Sequence, residues 1–177
     1  MKLDIPVVGF AAYSGTGKTT LLVNLLRLFT ARGLRVGIVK HAHHTFEIDY
    51  PGKDSYQLRQ AGASQVLVGS QLRWALMAEM VEPPVNTLAF YLQRLDHSAL
   101  DLVLVEGFKP ESIPKIELHR ASLGKPLLFP EDKDIIAVAT DTPLAQPPGI
   151  PVLDLNAPQA IADFIIDRFK PTGQTGR

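Results

Sequence analysis

A glycine-rich segment near the start of the chain links an apolar run to a leucine-rich run. The segment YSGTGKT occupies residues 13–19, after the apolar residues 5–12 and before leucines at positions 21, 22, 25, 26 and 28. This order is that of a strand, a phosphate-binding loop and a helix. Glycines let backbone amides turn toward an anion at the helix N-terminus. The chain is therefore predicted to begin with a strand and a helix built around a phosphate site.

The spacing within this segment follows the P-loop pattern, with Ala12 in place of its first glycine. Lys18 is predicted to reach the outer phosphates of a nucleotide, Thr19 to ligate Mg²⁺ and Thr20 to orient the inner phosphate. A glycine turn without a ligand is the alternative, and the ordered strand, glycines, Lys-Thr pair and helix disfavour it. The predicted phosphate-binding residues are Ser14, Gly15, Thr16, Gly17, Lys18, Thr19 and Thr20.

Strand-length apolar runs alternate with helical patterns along the rest of the chain. This alternation predicts an α/β protein with the P-loop NTPase three-layer fold and a mostly parallel sheet. The runs SQVLVGS and RWALMAEM are separated by two residues, which favours an inserted antiparallel hairpin near residues 63–80. Asn156 is expected to begin the last helix. We predict a single domain over residues 1–170 and a mobile tail over 171–177.

An acidic residue after another strand is needed to hold the metal directly or through water. The run DLVLVEGF offers Asp101 and Glu106. Ligands lie at the carboxyl ends of parallel strands, where Glu106 is placed. We therefore predict that Glu106 binds Mg²⁺ and that Asp101 is a residue of the strand start.

Asp141 follows a late strand in AVATDTP and is a candidate for guanine recognition. A carboxylate at this position accepts hydrogen bonds from the N1 and N2 donors of guanine, which adenine does not supply. The Asn-Lys-x-Asp signature of many GTPases is absent. A plain strand-to-turn aspartate is the alternative interpretation.

The loop after the second strand, KHAHHTFEIDYPGKDS, is rich in cationic and titratable residues. Lys40 and Lys53, together with Lys109, are predicted to form a cationic rim that suits a second anionic ligand. His41, His43 and His44 form a candidate metal site, although a solvated or phosphate-contacting loop is favoured. Asp49 and Asp54 are alternatives for positioning water or Mg²⁺.

Composition excludes several functions. Eighteen basic and eighteen acidic residues balance, which gives no support for nonspecific binding to nucleic acid or a membrane surface. The chain has no cysteine, so disulfides and thiolate chemistry are excluded. No run of about 18 apolar residues or full signal-peptide core is present, and a cytoplasmic location is expected.

Several separated segments together resemble one family. The runs AAYSGTGKTTLL, VKHAHH, PGKDSYQLRQAGA, SQLRWALM, LDLVLVEGFK and IAVATD, within residues 10–141, are similar to the molybdopterin-guanine dinucleotide biosynthesis protein B (MobB) family. The resemblance implies a homodimer that binds GTP with Mg²⁺ and hydrolyses it weakly at most. It also implies an adapter for the guanylyltransferase MobA, which joins GMP to molybdopterin to form the guanine dinucleotide. Ser14–Thr20, Glu106 and the Lys40–Asp54 loop match the motifs of the family.

Two other classes share the phosphate loop. An ATP-dependent kinase or ligase resembling dethiobiotin synthetase also places Glu-Gly after its acidic strand, but the region between the nucleotide motifs lacks an arginine-rich lid. Partitioning ATPases carry a lysine at the second loop position, where this chain has Tyr13. An edge of the predicted hairpin is a candidate for pairing with a second copy in the dimer.

Overall fold

The structure is a computed structural model that describes residues 5–42, 46–83, 87–145 and 148–171. It divides into two compact units, one formed by residues 1–41 and 88–177 and the other by residues 42–87. His43 and His44 lie outside the described residues, and so does the predicted tail apart from position 171. The prediction of a single domain remains a prediction.

The described residues form eight strands and four α-helices. The strands are β1 (Val7–Ala12), β2 (Val36–Lys40), β3 (Gln65–Gly69), β4 (Trp74–Ala78), β5 (Leu102–Glu106), β6 (Lys115–His119), β7 (Ile135–Thr140) and β8 (Val152–Asp154). The helices are α1 (Lys18–Ala31), α2 (Asp54–Gln60), α3 (Thr87–Leu92) and α4 (Pro158–Phe169).

Six strands form one sheet in the order β2-β5-β1-β6-β7-β8. Every neighbouring pair in this sheet is parallel. The carboxyl ends of all six strands therefore lie at one edge, which is where parallel α/β proteins bind their ligands. The predicted parallel sheet is confirmed.

Alternate residues of the central strands enter two different apolar clusters. Val8 and Phe10 of β1 and Leu104 of β5 pack with α1 and α4, including the fully buried Phe29. Val103 of β5 packs in a second cluster with residues of α3. Because successive side chains of a strand point to opposite faces, the two clusters cover opposite faces of the sheet. The predicted three-layer arrangement is confirmed.

Helix α1 contains all five leucines of the run that predicts it. Leu21, Leu25 and Phe29 recur every four residues and are buried, so one stripe of the helix faces the sheet. At its end, Gly33 has a φ of 76° and its amide donates to the Thr30 carbonyl. A left-handed glycine is the usual way to satisfy the last carbonyls of a helix.

Two details of the last segment differ from prediction. Helix α4 is capped by Ala157, with Pro158 at its first position, and Asn156 makes no capping hydrogen bond to it. The prediction that Asn156 begins the helix is therefore wrong by one residue. Strand β8 was not predicted, because it has only three residues and follows a proline-rich segment that lacks strand periodicity.

The second unit contains the predicted antiparallel hairpin, with Gln65 paired to Ala78 and Gly69 to Trp74. In the described residues this two-stranded sheet has no further strand on either edge. Its large apolar side chains face outward, since Leu67 and Trp74 are about two-thirds exposed. None of the helices in the described part of the chain combines the length and apolar content that a membrane span requires.

Asp101 fastens the start of β5 to the start of β2. Its carboxylate accepts hydrogen bonds from the Arg35 amide, Nε and Nη2 at 2.8, 3.1 and 2.9 Å. These bonds hold the pKa of the Asp101 carboxyl below its usual range, against the opposing effect of burial. The predicted role of Asp101 at the strand start agrees with this position, at the end of the sheet opposite Glu106.

We expect Asp101→Asn to lower the free energy of unfolding at pH 7, because the charge-assisted bonds to Arg35 are weakened. A lowered pKa means that the stabilisation is complete above about pH 4, the ordinary pKa of aspartate, and is lost as the pH falls through the lowered value. Urea unfolding at a series of pH values should show the wild-type advantage shrinking below that point. The exposed Asp167→Asn, whose carboxylate makes no ion pair with any described residue, is the control. An advantage that does not change with pH would contradict this origin.

Candidate functional site

The phosphate loop lies between β1 and α1 and is held by its own hydrogen bonds. The Thr16 hydroxyl and amide both donate to the Tyr13 carbonyl, at 2.7 and 3.4 Å. Thr16 is buried, whereas Ser14 and Gly15 are exposed. Gly15 and Gly17 have φ values of 83° and 96°, which other residues rarely adopt. The loop is therefore a preformed turn with its outer face open at the N-terminus of α1.

Glu106 lies between two lysines at the carboxyl edge of the sheet. Its Oε1 is 3.5 Å from Lys18 Nζ, and its Oε2 is 3.7 Å from Lys40 Nζ. The sheet register explains the contact, since Glu106 is aligned with Phe10 of β1 and with Lys40 of β2. The lysine of the phosphate loop and the predicted metal ligand are thus brought together. Thr19 follows Lys18 in the first turn of α1 and is exposed.

Asp141 follows β7 at the same edge and is held by its neighbours. Arg120 Nη1 donates to Asp141 Oδ2 at 3.0 Å, and the Ala121 amide donates to Oδ1 at 3.2 Å. Arg120 Nε also donates to the Thr16 carbonyl at 3.2 Å. Arg120 therefore joins the phosphate loop to the predicted base-recognition residue.

Arg120 is a site residue that the sequence predictions missed. It directly follows β6, just as Glu106 ends β5 and Asp141 follows β7. The rule that polar residues after parallel strands meet at one edge would have identified it. No local pattern indicated its role, because its partners Thr16 and Asp141 are distant from it in the chain.

A cavity of about 260 Å³ lies beside the phosphate loop at the start of α1. One side is formed by α1, and the others by Arg120 and by the segment that connects β8 to α4. The lining residues are Gly17, Thr20, Leu21, Asn24, Arg120, Leu155, Asn156 and Pro158. The lining is mixed, because Leu21, Leu155 and Pro158 are apolar and the side chains of Thr20, Asn24, Arg120 and Asn156 are polar.

The candidate metal site of His41, His43 and His44 stays a prediction, because only His41 lies within the described residues. His41 contacts the Phe108 ring edge-on, with the ring centroids 5.2 Å apart. Across the ranges that the structure describes, no three His, Cys, Asp or Glu side chains are grouped closely enough to hold a metal ion. His43 and His44 lie outside these ranges.

In the second unit, Arg59 gathers three carboxylates. Its guanidinium pairs with Asp49 at 2.8 Å, with Glu79 at 3.0 Å and with Glu47. Hydrogen bonds to Asp49 and then Glu79 raise the pKa of Arg59. Asp49 is buried in this cluster, and its role in positioning water or Mg²⁺ stays a prediction. Lys53 caps α2, with its Nζ 5.4 Å from the Tyr50 ring centroid.

Comparison with known proteins identifies the family. The model of the family described as molybdopterin guanine dinucleotide synthesis protein B (MobB) matches residues 7–141. A molybdopterin-guanine dinucleotide biosynthesis adapter protein of Escherichia coli (strain K12) is 50% identical over 167 residues, 94% of this chain and 94% of that protein. A protein of the same description from Haemophilus influenzae is 47% identical over 93% of this chain and 90% of its own.

The fold is also that of a solved structure. The crystal structure of molybdopterin-guanine biosynthesis protein B (mobB) has a TM-score of 0.73 with this chain, at 26% identity. It covers 93% of this chain and 99% of its own. Because the family model spans most of the chain and the relatives match it almost end to end, the chain belongs to the molybdopterin guanine dinucleotide synthesis protein B family.

Proposed function

We propose that this protein is a GTP- and Mg²⁺-binding adapter in the biosynthesis of molybdopterin guanine dinucleotide. It assists a guanylyltransferase of the MobA type in attaching GMP to molybdopterin. The observation that carries the proposal is the contact between Lys18 of the phosphate loop and Glu106, in a chain whose relatives are named as adapter proteins of this pathway. A cytoplasmic location forms part of the same proposal.

The phosphates are proposed to bind along Ser14–Thr20. The open face of the loop presents backbone amides at the N-terminus of α1, where anions are stabilised. Lys18 is 19% exposed and is already at the edge of the sheet, so its ammonium is available to the outer phosphates. Glu106 and Thr19 offer a carboxylate and a hydroxyl, the hard oxygen donors that suit Mg²⁺. The ion would neutralise charge on the phosphate oxygens.

The guanine base is proposed to be recognised by Asp141. Each oxygen of this carboxylate accepts one hydrogen bond from residues 120–121, and each has a further lone pair for a guanine donor. Arg120 fixes the orientation of the carboxylate and also forms part of the neighbouring cavity. The purine is proposed to occupy this cavity, with Leu155 and Pro158 as its apolar wall.

GTP hydrolysis is expected to be slow because Arg120 is already engaged in hydrogen bonds within the protein. Fast P-loop enzymes use a free arginine to stabilise charge in the transition state, worth roughly 10³–10⁵ in rate. Arg120 instead donates to the Thr16 carbonyl and to Asp141. We therefore propose weak GTP hydrolysis at most, which fits an accessory protein better than a kinase or ligase.

Lys40 and Lys53 are proposed to bind the phosphate of molybdopterin or its guanine dinucleotide. Lys40 is 59% exposed although it contacts Glu106.

The hairpin β3–β4 is proposed to form the homodimer contact. Its strand edges are unpaired in the described residues, and Leu67 and Trp74 are exposed.

Lys18→Ala should abolish GTP binding while the fold remains intact. Loss of a charge-assisted contact to the phosphates predicts a decrease in affinity of roughly 100-fold or more. Titration with fluorescent GTP measures the effect, circular dichroism checks the fold, and the exposed Lys133→Ala is the control. Normal GTP affinity in the Lys18 variant would overturn the site assignment.

Asp141→Asn should erase a preference for GTP over ATP. The amide replaces one acceptor oxygen by a donor, so one of the two guanine donors loses its partner. We expect wild-type protein to prefer GTP by roughly tenfold or more and the variant to bind both nucleotides alike. Exposed Asp167→Asn is the control. Wild-type binding of ATP that equals or exceeds that of GTP would remove Asp141 from the site and favour the kinase or ligase alternative.

A Lys40→Ala, Lys53→Ala double variant should bind molybdopterin more weakly by roughly tenfold or more, because two cations that neutralise its phosphate are removed. Equilibrium ultrafiltration with molybdopterin measures the change. The double variant of the exposed Lys125 and Lys133 to alanine is the charge-matched control. Molybdopterin affinity equal to that of the control would contradict this role.

A further inference from the structure

Lys109 lies against the phosphate loop although it belongs to a different segment of the chain. It follows β5 by three residues, and its Nζ is 5.0 Å from the centroid of the Tyr13 ring. Tyr13 is the second residue of the phosphate loop pattern. A lysine over an aromatic face is held by a cation–π interaction. The side chain of Lys109 is thus placed at the beginning of the loop.

The backbone at Lys109 is held in place by a second, buried lysine, Lys115. Lys115 is 3% exposed, and its Nζ donates to the carbonyls of Lys109 and Glu111 at 2.9 and 2.8 Å. The same Nζ pairs with Asp132 at 2.9 Å. Burial of an ammonium is costly unless its donors are satisfied, and here three acceptors satisfy them. Lys115 therefore ties the segment after β5 to the sheet.

Strand β1 has a glycine, Gly9, at the position where the Lys115 side chain passes. Gly9 is aligned with Lys115 of β6, and a Cβ on Gly9 would lie 2.7 Å from Lys115 Cγ. Gly107 makes a second close approach, since its φ is 89° and a Cβ there would lie 3.0 Å from His41 Cβ. The segment after Glu106 is held at both its beginning and its middle. Lys109 therefore has a defined place beside the loop.

Lys109 differs from the two nearby lysines, Lys18 and Lys40, because no carboxylate neutralises its charge in the described residues. Lys18 and Lys40 both pair with Glu106. Over the described ranges, no carboxylate lies within ion-pair distance of Lys109, which is exposed. An unneutralised ammonium next to an anion-binding turn adds to the attraction for a highly charged ligand. A triphosphate carries one more negative charge in total than a diphosphate and extends one phosphate further along the loop, so only its outer phosphate would come within reach of Lys109.

We propose that Lys109 binds the terminal phosphate of a triphosphate in the phosphate loop, and that Tyr13 and Lys115 are its positioning residues. The inference rests on the proposed nucleotide site but not on the identity of the base. It assigns Lys109 to the nucleotide rather than to the second anionic ligand of the predicted cationic rim. The expected consequence is selectivity for triphosphate over diphosphate.

The first test compares Lys109→Met with Lys109→Arg, using Lys125→Met as the control for loss of an exposed lysine. Each protein is titrated with GTP and GDP, and inorganic tripolyphosphate and pyrophosphate are used as competitors that carry no base. We expect Lys109→Met to weaken GTP and tripolyphosphate about tenfold and GDP and pyrophosphate less than about twofold, with Lys109→Arg close to wild type. Equal losses for the two classes, or none, would overturn the proposal.

The positioning residues are tested by their own variants. Tyr13→Leu removes the ring and should reproduce the selective loss of triphosphate binding, whereas Tyr13→Phe keeps the ring and should not. Lys115→Met should also lose triphosphate binding selectively. If that variant does not fold, the comparison of Tyr13→Leu with Tyr13→Phe still tests the positioning of Lys109. A Tyr13→Leu protein with wild-type selectivity would overturn the positioning role.

Failure of the wider proposal has a different signature. If wild-type protein prefers ATP, guanine recognition fails, while the tripolyphosphate comparison still tests Lys109. A wild-type protein that shows no selectivity between tripolyphosphate and pyrophosphate overturns the Lys109 inference, whichever base it prefers.

Discussion

Parallel pairing of β1 with β5 and β6 is the constraint on which the site depends. Because all six strands run the same way, the residues at their carboxyl ends meet at one edge. Lys18 follows β1, Glu106 ends β5, Arg120 follows β6 and Asp141 follows β7. A reversed strand anywhere in this set would place its functional residue at the opposite end of the sheet, where Asp101 and Arg35 instead make a purely structural contact.

The site is also organised by electrostatic neutralisation. Glu106 serves as counter-ion to two lysines, and Arg120 serves two acceptors at once. Each of these charges would cost free energy if it were left alone at a partly buried edge. The arrangement keeps the side chains in place before any ligand binds, which reduces the ordering that binding requires. Lys109 differs because its partner is an aromatic ring and not a carboxylate.

The sequence predicted those parts of the structure that depend on local pattern. The helix α1, the antiparallel hairpin β3–β4 and the position of Glu106 at a strand end all follow from apolar periodicity and short connections. Arg120 and Lys115 were missed because their roles depend on contacts with residues that are distant in the chain. No local pattern distinguishes a lysine that binds backbone carbonyls from one that is exposed. Ser14–Thr20, Thr19 and Glu106 as ligands of GTP and Mg²⁺ remain predictions.

Strand β6 carries two buried charged residues on one face, Lys115 and Glu117, and each of them holds a loop against the sheet. Glu117 is 1% exposed and accepts the amides of Leu128 and Phe129 at 2.7 and 2.8 Å, and burial raises the pKa of its carboxyl against these bonds. Lys115, two residues earlier, holds the segment after β5. Each side chain connects the sheet to the backbone of a loop by hydrogen bonds at its far end, Lys115 to residues 109–111 and Glu117 to residues 128–129. The distance between each loop and the sheet therefore depends on side-chain length in β6, so a shorter or longer residue at position 115 or 117 would move a loop without altering a residue in it.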